Sequence, residues 1–276
     1  MLDIMKCQFR TIRSKGIIHI INIMLLLTSI LVLFVSVVSA MSADEAGTEK
    51  PILTATEYIP KALQLIMGLS MFGGTCLTAL AVSDDFGDKT IYHELAAGRK
   101  RSISFFGRAV PALIASPIVC TALYMIPFIL YGIVYGWGNA LPTGNLILRA
   151  VLALFPLVRM SAFCVMTSFI FKQSLVGSLL FSMYAPMFGM SMLLGGSFLP
   201  FMNVATKLPW LTSASNFVNL GKFECWTTYD LGLNQFFTYN TELSASGIAL
   251  TIVCSVVMTA VYLLIGYHSF HVDDMN

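Results

Sequence analysis

Apolar residues run almost unbroken over six stretches of the chain, near 17–40, 62–82, 109–135, 150–171, 174–199 and 247–267, with polar residues gathered between them. Crossing a hydrocarbon core of about 30 Å takes about 20 helical residues. Inside a bilayer no water satisfies the backbone, so a spanning segment is a helix or part of a closed barrel. Barrel strands alternate apolar and polar positions over about ten residues, and none of these runs does. The pattern therefore predicts an all-α, polytopic membrane protein with six transmembrane helices. With no internal repeat or low-complexity linker in view, 1–276 is expected to form a single transmembrane domain.

Composition agrees with the pattern. The chain is 57% hydrophobic and 11% charged, with a mean hydropathy of +0.80; soluble domains carry about 25% charged residues. Lys6, Arg10, Arg13 and Lys15 precede the first run, and Val38-Ser39-Ala40 near its end resembles a signal-peptide cleavage site. The run is longer than the roughly 7–15 residues of a signal h-region, so a retained first span is expected, with residues 3–16 as an amphipathic interfacial helix.

Orientation follows from the distribution of Lys and Arg. With the N-terminus inside, ten fall on the inner side (Lys6, Arg10, Arg13, Lys15, Lys89, Arg99, Lys100, Arg101, Arg108 and Lys172) and five on the outer (Lys50, Lys61, Arg149, Lys207 and Lys222). Both termini are expected in the cytoplasm, and the plasma membrane of a bacterium is the expected location. Of six cysteines, only Cys225 is expected to face outward, so no intrachain disulfide is foreseen.

The long outer connection 199–246 is rich in aromatics, including Trp210, Phe217 and Trp226. That composition suits the headgroup level and predicts short interfacial or re-entrant helices. In the second run Ser70, Gly74 and Thr78 recur at four-residue spacing, a face where another helix can come close. The fifth run carries Ser178, Ser182, Ala185 and Gly189, with Met183, Met187, Met190 and Met192 among them. Two readings stand for both faces: packing within the chain, or a subunit interface and the adaptable wall of a transport path, since Met repacks around varied ligands.

Between the second and third runs, residues 83–101 hold eight charged residues in nineteen: Asp84, Asp85, Asp88, Lys89, Glu94, Arg99, Lys100 and Arg101. Residues 87–97 read as a short helix of about three turns. Acids stand at its start and bases after its end, matching the helix dipole, and Gly98 stands where a left-handed cap is wanted. Ile91 and Leu95 share one face. No other inner loop is long enough to cover that ridge, so it is expected to dock on a separate protein.

Here the chain resembles a family, the permeases of type-2 ABC exporters, including bacitracin-resistance and lantibiotic-immunity permeases. The resemblance lies in Asp84 or Asp85, Thr90, Leu95, Gly98-Arg99-Lys100-Arg101 and Arg108, together with the basic lead-in, the six runs and the long outer connection before the last of them. Lys89 departs from it, since many members place Gly before the Thr. The resemblance implies a permease that pairs with a second copy or a related permease and docks on two cytoplasmic ATPase subunits. Its coupling helix would comprise Asp88, Thr90, Ile91, Tyr92, His93, Glu94, Leu95, Gly98, Arg99 and Arg101. Ser70, Gly74, Thr78, Arg159, Ser182, Met183, Met187, Gly189 and Met190 would line the dimer interface or the transport path. This chain would bind no cofactor, ATP and Mg belonging to the ATPase. Its partners would be that ATPase, the second permease and membrane lipid, and no nucleic acid. The implied cargo is an amphipathic or hydrophobic peptide, an antimicrobial peptide or peptide toxin; lipid, drug or lipid-linked polysaccharide export is the alternative.

Other chemistries fit the residues less well. His93-Glu94 opens a zinc-protease motif, but position 97 is Ala where a second His is needed. "GDKT" at 87–90 lacks the glycines of a phosphate loop, so no ATPase activity is expected of the chain itself. An ATP-independent secondary transporter or channel is the rival of another class; coupled carriers place acids at mid-membrane depth, and the runs contain none. Arg159 is the one charge inside a run. Two roles remain open for it, anchoring in a polar pocket or contact with an anionic substrate group.

Overall fold

The computed structural model describes residues 1–45, 55, 73–74, 76–138, 143–172, 227–228, 238–239 and 245–272. Seven helices organise them: α1 (Leu2–Ser14), α2 (Gly16–Glu45), α3 (residues 76–87), α4 (Thr90–Ala96), α5 (Arg101–Tyr135), α6 (Thr143–Phe171) and α7 (Ala245–Val272). Among the described residues, three helical segments, Arg101–Tyr135, Ala150–Phe171 and Ser255–Val272, are long and apolar enough to cross a membrane. A fourth passes if α1 and Gly16–Leu31, bent by 55° at Lys15, count as one span. These correspond to the first, third, fourth and sixth expected runs. The second is described only from residue 73, and the fifth, with Ser182, Met183, Met187, Gly189 and Met190, lies outside the described residues, as does Ser70.

Which way the side chains point distinguishes hydrocarbon from water. Along α5 the buried positions are mostly small, Ala109, Ala112, Ser116 and Cys120, whereas Ile114, Ile118, Ile126, Ile129 and Ile133 are exposed. An exposed stripe of five isoleucines would be a liability in water; lipid tails are as apolar as Leu, so it costs nothing there. Association then depends on close approach and on polar contacts rather than on burial of apolar area. Three glycines supply the approach. A Cβ at Gly107 would meet Ile4 of α1 at 2.8 Å, one at Gly266 would meet the Met166 backbone at 3.1 Å, and one at Gly74 would collide with Cys120 Sγ. Polar contacts join the same seam: Ser116 Oγ donates to the Gly74 carbonyl at 3.0 Å, and Ser161 Oγ to Ser116 Oγ at 2.9 Å. Within α5, Pro111, Pro117 and Pro127 each withhold an N–H from the ladder.

Helix α6 packs against both α5 and α7, and α1 and α2 lie against α5. At one end, Val82 and Phe86 of α3, Ile91 of α4, Phe105 of α5, Phe169 of α6 and Phe270 of α7 form one core cluster. Phe169 anchors it, its ring centroid 4.5 Å from Phe105, 5.1 Å from Phe270 and 5.3 Å from Phe86. Of the connection 199–246, residues 227–228, 238–239 and 245–246 are described; the last two open α7, and Thr227–Thr228 (β1) pairs with Thr238–Tyr239 (β2) as antiparallel strands. Short helices are the expectation there; β-branched and aromatic residues favour strand pairing at these four positions.

Two substitutions probe this packing by equilibrium unfolding in detergent. Gly74→Ala overpacks the contact with α5 and lowers stability by about 1–3 kcal/mol; adding Cys120→Ala recovers part of that loss. Lys89, which precedes α4, has φ 57° and ψ 15°. The left-handed region costs a non-glycine residue about 1–2 kcal/mol, against roughly 0.5–1 kcal/mol of extra entropy for Gly, so Lys89→Gly raises stability by about 0.5–1 kcal/mol.

Candidate functional site: a charged junction at one end of the helices

The charged segment folds back on the chain that carries it. Helix α3 runs to residue 87, so Asp84 and Asp85 sit on its last turn rather than at the start of the short helix. The left-handed Lys89 then restarts the chain, and α4 is two turns long, Thr90–Ala96, shorter than the 87–97 expected. Its end follows the expectation. Gly98 has φ 82°, its N–H donates to the Leu95 carbonyl at 2.9 Å, and the Arg99 N–H donates to the Glu94 carbonyl at 3.1 Å. These two bonds make a Schellman cap. Helix α5 starts directly at Arg101, eight residues before the expected start of the third run.

The apolar ridge of α4 is not open. Ile91 is fully buried among Phe105, Phe169 and Phe270, and Tyr92 and Leu95 pack against the same cluster. Sequence spacing identified the ridge correctly, but its cover comes from the far end of α6 and α7, which no local pattern announces. Asp88, Lys89, Thr90, His93, Gly98, Arg99 and Lys100 remain exposed. Of the ten residues assigned to this element, Ile91, Tyr92, Leu95 and Glu94 thus turn toward the chain's own core. Arg101 turns the same way: Nη1 donates to the carbonyls of Phe270 at 3.3 Å and His271 at 2.5 Å, at the end of α7.

Arg108 is the centre of the junction. It lies on the second turn of α5 with its side chain 1% exposed, and it is the largest fully buried side chain described. Nε donates to Asp85 Oδ2 at 2.5 Å, and Nη1 donates to Glu94 Oε2 at 3.0 Å and to Ser104 Oγ at 2.7 Å. Ser104 Oγ in turn donates to Glu94 Oε2 at 3.1 Å. Asp85 also accepts from Gln8 of α1. Alongside, Lys15 Nζ donates to Asp84 Oδ2 at 2.5 Å and to the Leu80 carbonyl at 3.2 Å. One guanidinium thus joins α3, α4 and α5, and its partner Asp85 adds α1. The two carboxylates keep 15% and 20% exposure where the arginine has almost none, so both the guanidinium and the acids that hold it give up solvation.

The remaining candidates sit elsewhere. Gly74 faces α5 of the same chain, and Thr78 is buried, its hydroxyl donating to the Gly74 carbonyl at 2.9 Å. Packing within the chain therefore occupies the described part of that face. Arg159 is buried on α6 and within electrostatic reach of Tyr262 on α7. Cys76, Cys120 and Cys164 are buried thiols and Cys7 is exposed. No group of three His, Cys, Asp or Glu side chains able to hold a metal occurs among the described residues.

Removing one acid leaves Arg108 the other, so Asp85→Asn and Glu94→Gln each cost roughly 1–2 kcal/mol. The double variant strands a buried guanidinium and exceeds the sum by at least about 1 kcal/mol in a double-mutant unfolding cycle. The pH dependence of Asp85→Asn has a definite sign. Burial pushes the Asp85 carboxyl above its ordinary value, with Arg108, Lys15 and Gln8 pulling the other way. Folding then favours the protonated form, a contribution present below the unfolded value near 3.9 and lost as pH rises through the folded value. The cost of Asp85→Asn accordingly grows as pH falls from neutral toward about 4, read as unfolding midpoints across that range.

No family model, curated protein or solved structure matches this chain.

Proposed function

We propose that this chain is the membrane-spanning permease subunit of an ATP-driven exporter, resembling the type-2 ABC permeases. In this reading it is a six-span protein of the bacterial plasma membrane, both termini are cytoplasmic, and α4 is the coupling helix that meets a separate ATPase subunit. One observation carries the proposal: α4 is a two-turn helix fastened on one side to the ends of the long helices and left polar and exposed on the other. A helix that merely joined two spans would need neither the Ile91 wedge nor the Glu94–Arg108 bond.

The ATPase groove receives the outward set, Asp88, Thr90, His93, Arg99 and Lys100. The inward set then transmits its displacement. Ile91 and Leu95 press on Phe105, Phe169 and Phe270, while Glu94 pulls on Arg108, so α3, α5, α6 and α7 shift together at this end. ATP and Mg stay with the partner, and the energy reaches the membrane as movement. A second permease, identical or related, completes the path, and the cargo is an amphipathic or hydrophobic peptide moved outward.

Reversing exposed charges separates docking from folding. Arg99→Glu and Lys100→Glu, together with His93→Glu, weaken co-purification of the cognate ATPase by about tenfold or more, roughly 1.4 kcal/mol; the His93 and Lys100 variants leave the unfolding midpoint unchanged, whereas Arg99→Glu also replaces the Arg99–Glu94 ion pair at 4.0 Å with like charges. Leu95→Asp instead lowers the midpoint. Undiminished ATPase association and undiminished peptide-stimulated hydrolysis in all three surface variants would defeat the proposal.

A further inference from the structure

Helix α1 has three distinct faces. Ile4, Gln8 and Ile12, spaced four apart, are buried against the rest of the protein. Opposite them, Lys6, Arg10 and Arg13 fall at i, i+4 and i+7, which is one stripe of a helix. All three are exposed, and none forms an ion pair with a described residue. Between the two faces runs an exposed apolar edge, Leu2 at 69% and Phe9 at 39%, again seven apart. The edge continues into α2, where Ile17 and Ile20 are 56% and 62% exposed.

A basic stripe alone would suit any polyanion. The apolar edge beside it, continuous with a helix that bends away by 55°, narrows the occupant to the anionic headgroup layer of a bilayer. With α2 upright, α1 lies nearer the membrane plane than the normal. Its basic side chains then reach phosphates while Leu2 and Phe9 enter the acyl boundary.

The buried face leads inward to the junction. Gln8 donates to Asp85, and Asp85 shares Arg108 with Glu94 of α4. We infer that α1 is a sensor of anionic phospholipid: Lys6, Arg10 and Arg13 seat it on charged headgroups, and the Gln8–Asp85–Arg108–Glu94 chain carries that seating to α4. The inference rests on the membrane reading of the long helices and is independent of any ATPase.

The test is hydrogen–deuterium exchange on the full chain in nanodiscs, with no ATPase present, so the permease reading can fail without affecting it. Discs of phosphatidylcholine alone are compared with discs also containing phosphatidylglycerol. Each basic side chain near an anionic surface contributes about 1 kcal/mol, or about fivefold. Amides of residues 4–14 are expected to exchange at least about fivefold more slowly with phosphatidylglycerol, and those of 91–96 to slow with them. K6Q/R10Q/R13Q returns both segments to phosphatidylcholine rates, with unchanged exchange in α5 and α6 as proof of folding. Salt at 1 M, where the screening length is about 3 Å, does the same to the native chain without any substitution. Gln8→Leu keeps the response of α1 and abolishes that of α4. Equal α1 exchange in the two lipids, a lipid response that survives the triple variant or high salt, or an α4 response that survives Gln8→Leu overturns the inference.

Discussion

A guanidinium withdrawn from water is the constraint on which the charged end of this protein depends. Arg108 cannot lose its charge, and a cation left alone at its depth would cost several kcal/mol. Asp85 and Glu94 must therefore stay within hydrogen-bonding distance, which fixes the last turn of α3 and the middle of α4 relative to the second turn of α5. Placement of the other groups follows. Gln8 bonds Asp85, Ser104 bridges Glu94 and Arg108, and the Phe105–Phe169–Phe270 cluster fills the apolar space beside them. The mixture of signs in residues 83–101 has a physical explanation here, because three of its acids, Asp84, Asp85 and Glu94, bond Lys15 and Arg108, which lie outside that segment.

What the sequence makes legible depends on the range of the interactions involved. Apolar run length identified α2, α5, α6 and α7, because a bilayer-sized run is a local property. Gly98 was equally legible, since a left-handed cap selects Gly by local sterics. The start of α4 was not, because Lys89 adopts a backbone conformation that its own side chain disfavours and the junction imposes. Asp84 and Asp85 look like loop residues beside so many charges; only the Lys15 and Arg108 bonds explain their place on a helix. The open ridge of Ile91 and Leu95 failed for a related reason: Phe270 lies far along the chain and carries no signal pointing back. The Gly74 face was visible as a site of close approach, but which helix approaches was not.

The same separation of scales bears on function. Along α5, large aliphatic side chains face outward and mostly small ones inward, with hydroxyl bonds such as Ser161–Ser116, while Met160, Phe163 and Met166 of α6 pack against Met258 and Tyr262 of α7. At the charged end, ion pairs join the ring contacts. A push on α4 thus meets a node held by ion pairs, from which α5, with three prolines along its length, leads away. For the proposed exporter, that arrangement puts the lever at the node.

The bonds from Arg101 to the carbonyls of Phe270 and His271 span 169 and 170 residues of chain. A nascent polypeptide makes α4 and the start of α5 long before α7 emerges from the ribosome. Until then Ile91 and Phe105 lack the ring that closes over them, and a quality-control protease has access to the segment. The emergence of α7 is thus the moment at which α4 acquires its cover, so a product that stalls before it is marked by the apolar ridge that Phe270 would otherwise close over.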